Sequence, residues 1–343
     1  MITKKEKLFD AFVVKRRWPK NIKTSDRKYF QHEIERAFPE VNFITFKNVN
    51  VSAEGIVFDL FSTAVSSLPH PAFASDYGMK YRFVNLLKRK RTVLLKDQKY
   101  LLVSNPWSIN YFHWLLDALP RLISVKEQCK DLILLLPENH KSKFIETTLS
   151  KVNLKGIEYL PMKSYAHVGT LLMPEHSAST GNFYPPLTKQ VRDYLLQFAD
   201  FSGIGNPEAY EKIYVSRKKA KSRYVSNEDE VIEVLVSNGF RVICFEDLSF
   251  PEEIAIMCSC KYFAGIHGAN LVNMMFMPEN GKVLQFAQAG NSNDNCYLSL
   301  ASIFNLDFYN QFCDYTLVPS TNSWDMNIGL DDLKNNLKAM LSQ

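Results

Sequence analysis

Two strand ends decide how this chain reads: Lys212-Ile213-Tyr214-Val215-Ser216-Arg217, running into the basic loop Lys218 to Arg223, and Gly265-Ile266-His267-Gly268-Ala269-Asn270, where a second apolar strand breaks into a helix. In an open parallel sheet the carboxyl ends of neighbouring strands face one crevice. Both breaks therefore bring cations, backbone N–H groups and a helix N-terminus to one place. A diphosphate needs that combination. Gly268 lets a ligand approach the main chain, and the guanidinium of Arg217 or Arg223 matches two phosphate oxygens at once. Ser216, His267, Ala269, Asn270 and, one turn on, Asn273 add polar or backbone groups at the same edge. Glu246, closing another strand, either accepts hydrogen bonds from ribose hydroxyls or caps the helix beginning near Pro251. Each feature also has a plain reading, a tight βα turn or a solvated basic loop. Their coincidence points to a nucleotide-activated substrate.

Outward from these ends a βα series extends: strand 212–216, helix 227–238, strand 240–245, helix 251–258, strand 260–265, helix 269–276, strand 281–286, helix 294–304 and strand 306–309. Strands that are apolar along their whole length, separated by amphipathic helices, indicate parallel pairing buried on both faces. Ser202-Gly203-Ile204-Gly205-Asn206-Pro207 is the best linker. Before it lie helix 110–127, strand 131–136, helix 140–151, strands 156–160 and 168–173, and helix 186–200. Earlier still, short strands are expected at 42–46, 55–59, 91–95 and 99–103. The expected division is a β-rich N-terminal extension over 1–105, an α/β domain over 106–201, a second over 207–320 and a C-terminal helix within 328–343. That last helix could pack on the first domain or on a second copy.

The chain has 343 residues, 46% hydrophobic and 22% charged, enough for two ordinary cores. No long apolar run or secretory leader is evident, so a soluble cytoplasmic protein is expected. The six cysteines form no CxxC pair and read as reduced thiols, with no structural zinc. The net charge of +5 is uneven: residues 1–20 carry seven Lys/Arg against Glu6 and Asp10, and Lys88-Arg89-Lys90-Arg91 forms a second run. Such patches would contact the anionic inner face of a cell membrane peripherally, or a polyanionic polymer, or simply meet solvent. No motif accompanies them that would indicate nucleic acid.

Asn110-Tyr111-Phe112-His113-Trp114-Leu115-Leu116-Asp117-Ala118-Leu119-Pro120-Arg121-Leu122 carries the other chemistry. On a helix, His113, Asp117 and Arg121 fall in one i, i+4, i+8 row opposite the apolar face. A histidine near neutral pKa can act as a base, and a carboxylate one turn away can orient it. The plain alternative is a solvated face with an Asp117–Arg121 ion pair. Pro120 implies a special local geometry.

Together these segments resemble glycosyltransferase family 61. The resemblance rests on Asn110 to Arg121, Tyr214-Val215-Ser216-Arg217, Phe245-Glu246-Asp247-Leu248-Ser249-Phe250 and His267-Gly268-Ala269-Asn270-Leu271-Val272-Asn273. It implies a GT-B architecture, two Rossmann-like domains facing a cleft, and an inverting transfer from a nucleotide-sugar, a UDP-sugar, to a glycan or glycolipid acceptor in capsule polysaccharide or lipopolysaccharide synthesis. No metal or other cofactor is implied. Ser216, Arg217, Arg223, Glu246, His267, Gly268, Ala269, Asn270 and Asn273 would hold the donor; His113 and Asp117 would supply the base jointly; Asn110, Trp114 and Arg121 would lie on the acceptor side, Arg121 holding either the helix or an acidic acceptor. Gln285 stands where many relatives carry an acidic residue. The alternative is a catalytically inactive nucleotide-sugar or glycan-binding subunit of a biosynthetic complex, which would share the phosphate site without needing His113 or Asp117; a sugar epimerase would have no use for the helix motif.

Overall fold

A computed structural model describes the chain apart from residues 95–96, 291–294, 320–322 and 343. The protein is mixed α/β and divides into two compact units, Met1–Val13 with Ala37–Val191, and Val14–Arg36 with Arg192–Gln343. Chain order and unit membership thus differ at both ends of the first unit. Residues 14–36 group with the second unit because Lys20 N–H donates to Phe308 O (2.8 Å), Asn21 Nδ2 to Asn310 O (2.8 Å) and Asn295 Nδ2 to Tyr29 O (2.5 Å). The other transition falls inside the helix Pro185–Leu196, ahead of the 202–207 segment. Arg192 explains it, lying over the Phe304 ring at 5.2 Å and donating to Met277 O at 3.1 Å.

In the first unit the main sheet runs in the order Ile2–Phe9, Val41–Ser52, Ser164–Pro174, Lys99–Leu102, Leu132–Pro137, Gly156–Leu160. The first three strands are antiparallel and the last four parallel. Val41–Ser52, twelve residues and largely buried, is therefore an inner strand of this sheet. The N-terminal region is not purely β: it contains the helices Arg27–Ile34 and Met79–Lys88. The strand expected at 91–95 is Lys90–Thr92, and residue 95 lies outside the described residues. Helix 140–151 shortens to Lys143–Leu149, where the Ser142 hydroxyl accepts from Ile145 N–H (3.4 Å) as N-cap.

The second unit's sheet runs Arg241–Ile243, Lys212–Val215, Tyr262–Ile266, Lys282–Gln288, Asp307–Val318, Ser323–Asn327, parallel up to the last strand, which closes an antiparallel hairpin. The second strand of the series sits outside the first, and all later strands lie on the first strand's other side. The winding therefore reverses between Lys212–Val215 and Tyr262–Ile266, and ligands bind in such sheets outside the carboxyl ends at that reversal. The strand expected at 306–309 continues to Val318, because its outer half pairs with Ser323–Asn327. The helix expected at 294–304 is described as Cys296–Ile303, residue 294 lying outside the described residues. The last helix, Leu330–Leu341, buries Leu333, Leu337 and Met340 in this unit's own core against Val231 and Leu235. Among the described residues no helix is long and apolar enough to cross a membrane.

Candidate active site

In the first unit, the segment following the carboxyl end of Lys99–Leu102 is held tightly. Asn105 N–H donates to Ser108 Oγ (2.5 Å) and Trp107 N–H to Asn105 Oδ1 (2.8 Å). Gly55 permits this close packing, since a Cβ there would lie 2.6 Å from Ser104 O. The helix that follows is not one α-helix. Tyr111–His113 is α, Trp114–Ala118 is a π turn and Leu119–Ile123 is α again. Pro120 supplies the reason. It has no N–H for an i→i−4 bond to Leu116, and the preceding turn widens so that Leu119 N–H reaches back five residues to Trp114 O.

The widened turn keeps His113 over Asp117 but ends the three-residue row. His113 Nδ1 and Asp117 Oδ2 are 2.7 Å apart, and Thr180 Oγ1 donates to the same oxygen at 3.1 Å. Asp117 is 7% exposed, while the His113 ring, partly accessible, packs against Trp107 (centroids 5.2 Å) and Phe112 (5.0 Å). With Nδ1 committed to a carboxylate, Nε2 is the ring position left to exchange a proton.

Arg121 turns inward. It is 1% exposed and donates from Nε to Pro174 O (2.8 Å) and from Nη1 to Val103 O (2.6 Å). It ties the helix to the ends of two strands, and among the described residues it makes no surface ion pair with Asp117, whose charge reaches it only through the interior. Trp114 is likewise fully buried, its Nε1 donating to Thr148 Oγ1 (2.8 Å), so it offers no surface to a substrate. Asn110 remains exposed, and its carbonyl accepts Trp114 N–H at 2.8 Å. His176, which sequence reading passed over, has a buried Nε2 with no hydrogen-bond partner among the described residues. Burial and the Arg121 charge hold its pKa well below the ordinary histidine value.

In the second unit, Val215 pairs in register with Gly265, so Ser216-Arg217 and Ile266-His267 leave adjacent strands at the same level. They leave at the reversal of the sheet. Glu228 accepts both Tyr214 Oη–H (2.9 Å) and Arg217 N–H (3.1 Å), fixing the first strand end. Arg217 Nη2 donates to Ser222 O (2.8 Å) and shapes the basic loop, while its Nε is buried without a partner among the described residues. Burial lowers the Arg217 pKa, opposed by Glu246 and reinforced by Arg223. Arg223 adopts φ 62°, stacks on Trp324 at 5.2 Å, and brings Nη1 within 4.0 Å of where a Gly268 Cβ would be. The loop lysines differ: Lys218 pairs with Asp229 and Lys219 with Asp247, both at 2.5 Å.

The second strand end is pinned by Tyr297, whose hydroxyl donates to Gly268 O at 2.5 Å and whose ring meets His267 at 5.0 Å. Gly268 is extended, φ 167°, and a Cβ there would make only ordinary contacts, so the glycine leaves open space rather than relieving strain. The segment Ala269–Phe276 is 3-10, not α. Its first N–H groups still lack intrahelical acceptors. Asn270 adds a buried Nδ2 without a partner among the described residues. Asn273 does not face this crevice; it is buried, and its Nδ2 donates to Glu253 Oε2 at 3.0 Å, bracing the helix Phe250–Ser259. Ser216 is buried, with Oγ accepting Lys218 N–H (3.2 Å). Glu246 sits exposed in the turn Phe245–Asp247, and the neighbouring helix takes its cap from Ser249 and Glu252, so Glu246 is not the cap. Gln285 is buried and donates to Asn310 Oδ1 (3.1 Å).

The family model Glycosyltransferase 61 matches residues 111–284, just over half of the chain. The chain belongs to glycosyltransferase family 61. The match begins at the dyad helix and ends beyond the second strand end. The EGF domain-specific O-linked N-acetylglucosamine transferase of Drosophila melanogaster is 31% identical over 93 residues, 26% of this chain and 17% of that protein. The Mus musculus protein of the same name is 22% identical over 122 residues, 34% of this chain and 23% of its own length. The match thus spans about a fifth of these curated relatives' length. Their names concern EGF domains and lend no support to a capsule or lipopolysaccharide role.

Proposed function

We propose that this family 61 glycosyltransferase is an inverting enzyme that moves a sugar from a UDP-sugar to a hydroxyl of a glycan or glycosylated protein. The two units would be the Rossmann-like halves of a GT-B enzyme, the first serving the acceptor and the second the donor. One observation carries the reading: the 2.7 Å His113–Asp117 pair, set in a π turn and held by Thr180. Inversion needs a single displacement, in which the acceptor oxygen bonds to the anomeric carbon as the bond to the diphosphate oxygen breaks. His113 Nε2 would take the acceptor proton, and Asp117 would stabilise the resulting imidazolium.

The departing diphosphate would be met by Arg217, Arg223, the N–H groups from Gly268 to Asn270, and Asn270 Nδ2. Arg217 Nε and Asn270 Nδ2 support this because each is a buried donor with no partner among the described residues, a cost that a phosphate oxygen would remove. Glu246, exposed beside Arg217, would meet the ribose. Replacing His113 by Ala and Asp117 by Asn, with transfer and donor binding followed separately, tests the assignment. Transfer should fall by about 10² to 10⁴ with donor affinity kept. Unchanged turnover in both variants would leave a binding subunit as the better description. Mass spectrometry of nucleotide-sugars retained or hydrolysed by the purified protein identifies the donor.

A further inference from the structure

The helix Met79–Lys88 is amphipathic the wrong way round for a protein in water. Its inward side carries Asn85, fully buried with Nδ2 donating to Tyr81 O (3.0 Å), and Tyr81, whose hydroxyl donates to Ser52 Oγ (2.8 Å). Its outward side carries Met79, Phe83 and Leu87, at i, i+4 and i+8, all exposed, Leu87 to 77%. A helix that buries polar groups and presents a row of large apolar ones outward has its hydrophobic face toward something other than solvent.

Two segments adjoining the helix also expose large apolar side chains. Phe61, 83% exposed, stands on a loop pinned by Asp59, which accepts Phe61 N–H (2.8 Å) and Ser62 N–H (2.7 Å). Thr63 next to it donates to Tyr77 O (2.7 Å), tying the loop to the start of the helix. Val93, 89% exposed, follows the strand that leaves the helix's other end.

Charge identifies the partner. Between residues 76 and 93 there are six Lys/Arg and one acid, Asp76. Arg89 is engaged, pairing with Glu54 at 2.6 Å, whereas Lys80, Lys88, Lys90 and Arg91 are exposed and make no ion pair among the described residues. The basic N-terminal twenty residues contrast with this. There Lys4, Lys5, Lys7, Lys15, Arg16, Arg17 and Lys20 all pair with carboxylates. Exposed apolar side chains and uncompensated cations on one segment match the acyl boundary and the anionic headgroups of a bilayer respectively.

We propose that the first unit docks on an anionic lipid surface, with Met79, Phe83 and Leu87 entering the interface and Lys80, Lys88, Lys90 and Arg91 lying against headgroups. The proposal stands apart from the transfer chemistry. The full chain should float with vesicles of phosphatidylcholine and phosphatidylglycerol mixed roughly two to one, at low salt, and not with phosphatidylcholine alone. The triple variant Met79→Ser, Phe83→Ser, Leu87→Ser should bind the mixed vesicles at least about tenfold more weakly. Reversing Lys88 and Lys90 to Glu should cost roughly fivefold or more for each charge removed. Both variants change only exposed positions, and unchanged thermal unfolding would confirm an intact fold. Failure of the unaltered chain to float, or equal flotation by the triple variant, overturns the proposal. So does a dimer, or a protein complex, that the triple variant dissolves without any loss of lipid binding.

Discussion

The two candidate sites, one in each unit, are built on opposite principles. In the first unit, His113 and Asp117 are four residues apart on one helix, and their hydrogen bond is already made: 2.7 Å between them and 3.1 Å from Thr180. In the second unit, the polar groups come from two strand ends some fifty residues apart, and several are left wanting. Arg217 Nε and Asn270 Nδ2 are buried donors with no partner among the described residues. A group that must hold one orientation through a reaction gains from being satisfied beforehand, because the reaction then costs no reorganisation. A group that must hold a ligand gains from being unsatisfied without it. Under the proposed function the contrast would separate chemistry from binding, and each group can be tested by whether its loss shows in rate or in affinity.

The largest expected effect is on rate. Asp117→Asn leaves the shape but replaces the acceptor of the His113 Nδ1 proton by an amide, and turnover should drop by about 10² to 10⁴. Donor affinity, measured by titration without acceptor, should stay within a factor of about two. A parallel loss of affinity would remove the distinction between the two sites. Arg217→Ala should do the reverse, raising the donor KM by roughly tenfold to a hundredfold through loss of a charge-assisted contact of ~1.5–3 kcal/mol. Arg217→Lys should recover little of it, since an ammonium cannot replace the planar fork.

Much of this is legible in the sequence, and what is not has physical causes. The strand ends at Arg217 and His267 could be read because apolar runs, glycine and basic residues are local signals, and in-register pairing of the two strands then brought them together. Of the two roles open to Arg121, holding the helix is the one its buried hydrogen bonds match; its inward turn escapes a 100° step, which assumes an unbroken α-helix, because Pro120 widens the turn before it. Trp114 and Asn273 are buried away from solvent for a reason that local sequence does not carry. Polar atoms on a helix look like site residues unless their buried partners, Thr148 and Glu253, are known, and these lie in distant segments. Thr180, Trp107 and Tyr297 gave no sequence signal for the same reason. The outward apolar row of Met79, Phe83 and Leu87 had the correct helical spacing, but an amphipathic pattern does not say which face is buried.

Acid should weaken the first unit before the second. His140 lies against the Trp114 ring (centroids 5.9 Å), and burial pushes its pKa down to about 4. The unfolded chain takes up this proton as the pH falls below about 6.5, whereas the folded chain takes it up only near about 4. Between those values the unfolded state binds more protons, so stability is full above about 6.5 and declines as the pH falls, by on the order of 2–3 kcal/mol at the lower limit. Lowered in the same sense, His176 belongs to the same unit. Hydrogen exchange at pH 5 compared with pH 7 should show the helix Leu119–Ile123 losing protection while Tyr262–Ile266 keeps it. His140→Phe, which retains a ring but no titrating nitrogen, should flatten the dependence. An equally steep decline in that variant would assign the acid sensitivity elsewhere.

The smallest effect tests how far the second unit is preorganised after all. Tyr297 is its nearest equivalent to Thr180, since its hydroxyl holds Gly268 O at 2.5 Å and so aims the peptide that follows. Tyr297→Phe keeps the ring against His267 and removes only that bond, worth about 1 kcal/mol. If the cradle relies on fixed backbone donors, donor affinity should fall about fivefold with no change in turnover at saturating donor. An unchanged affinity would mean that the ligand itself organises residues 267–270. The second group would then be still less prepared than its unpaired donors indicate, and the contrast between the hydrogen-bonded His113–Asp117 pair and the open strand ends would be sharper.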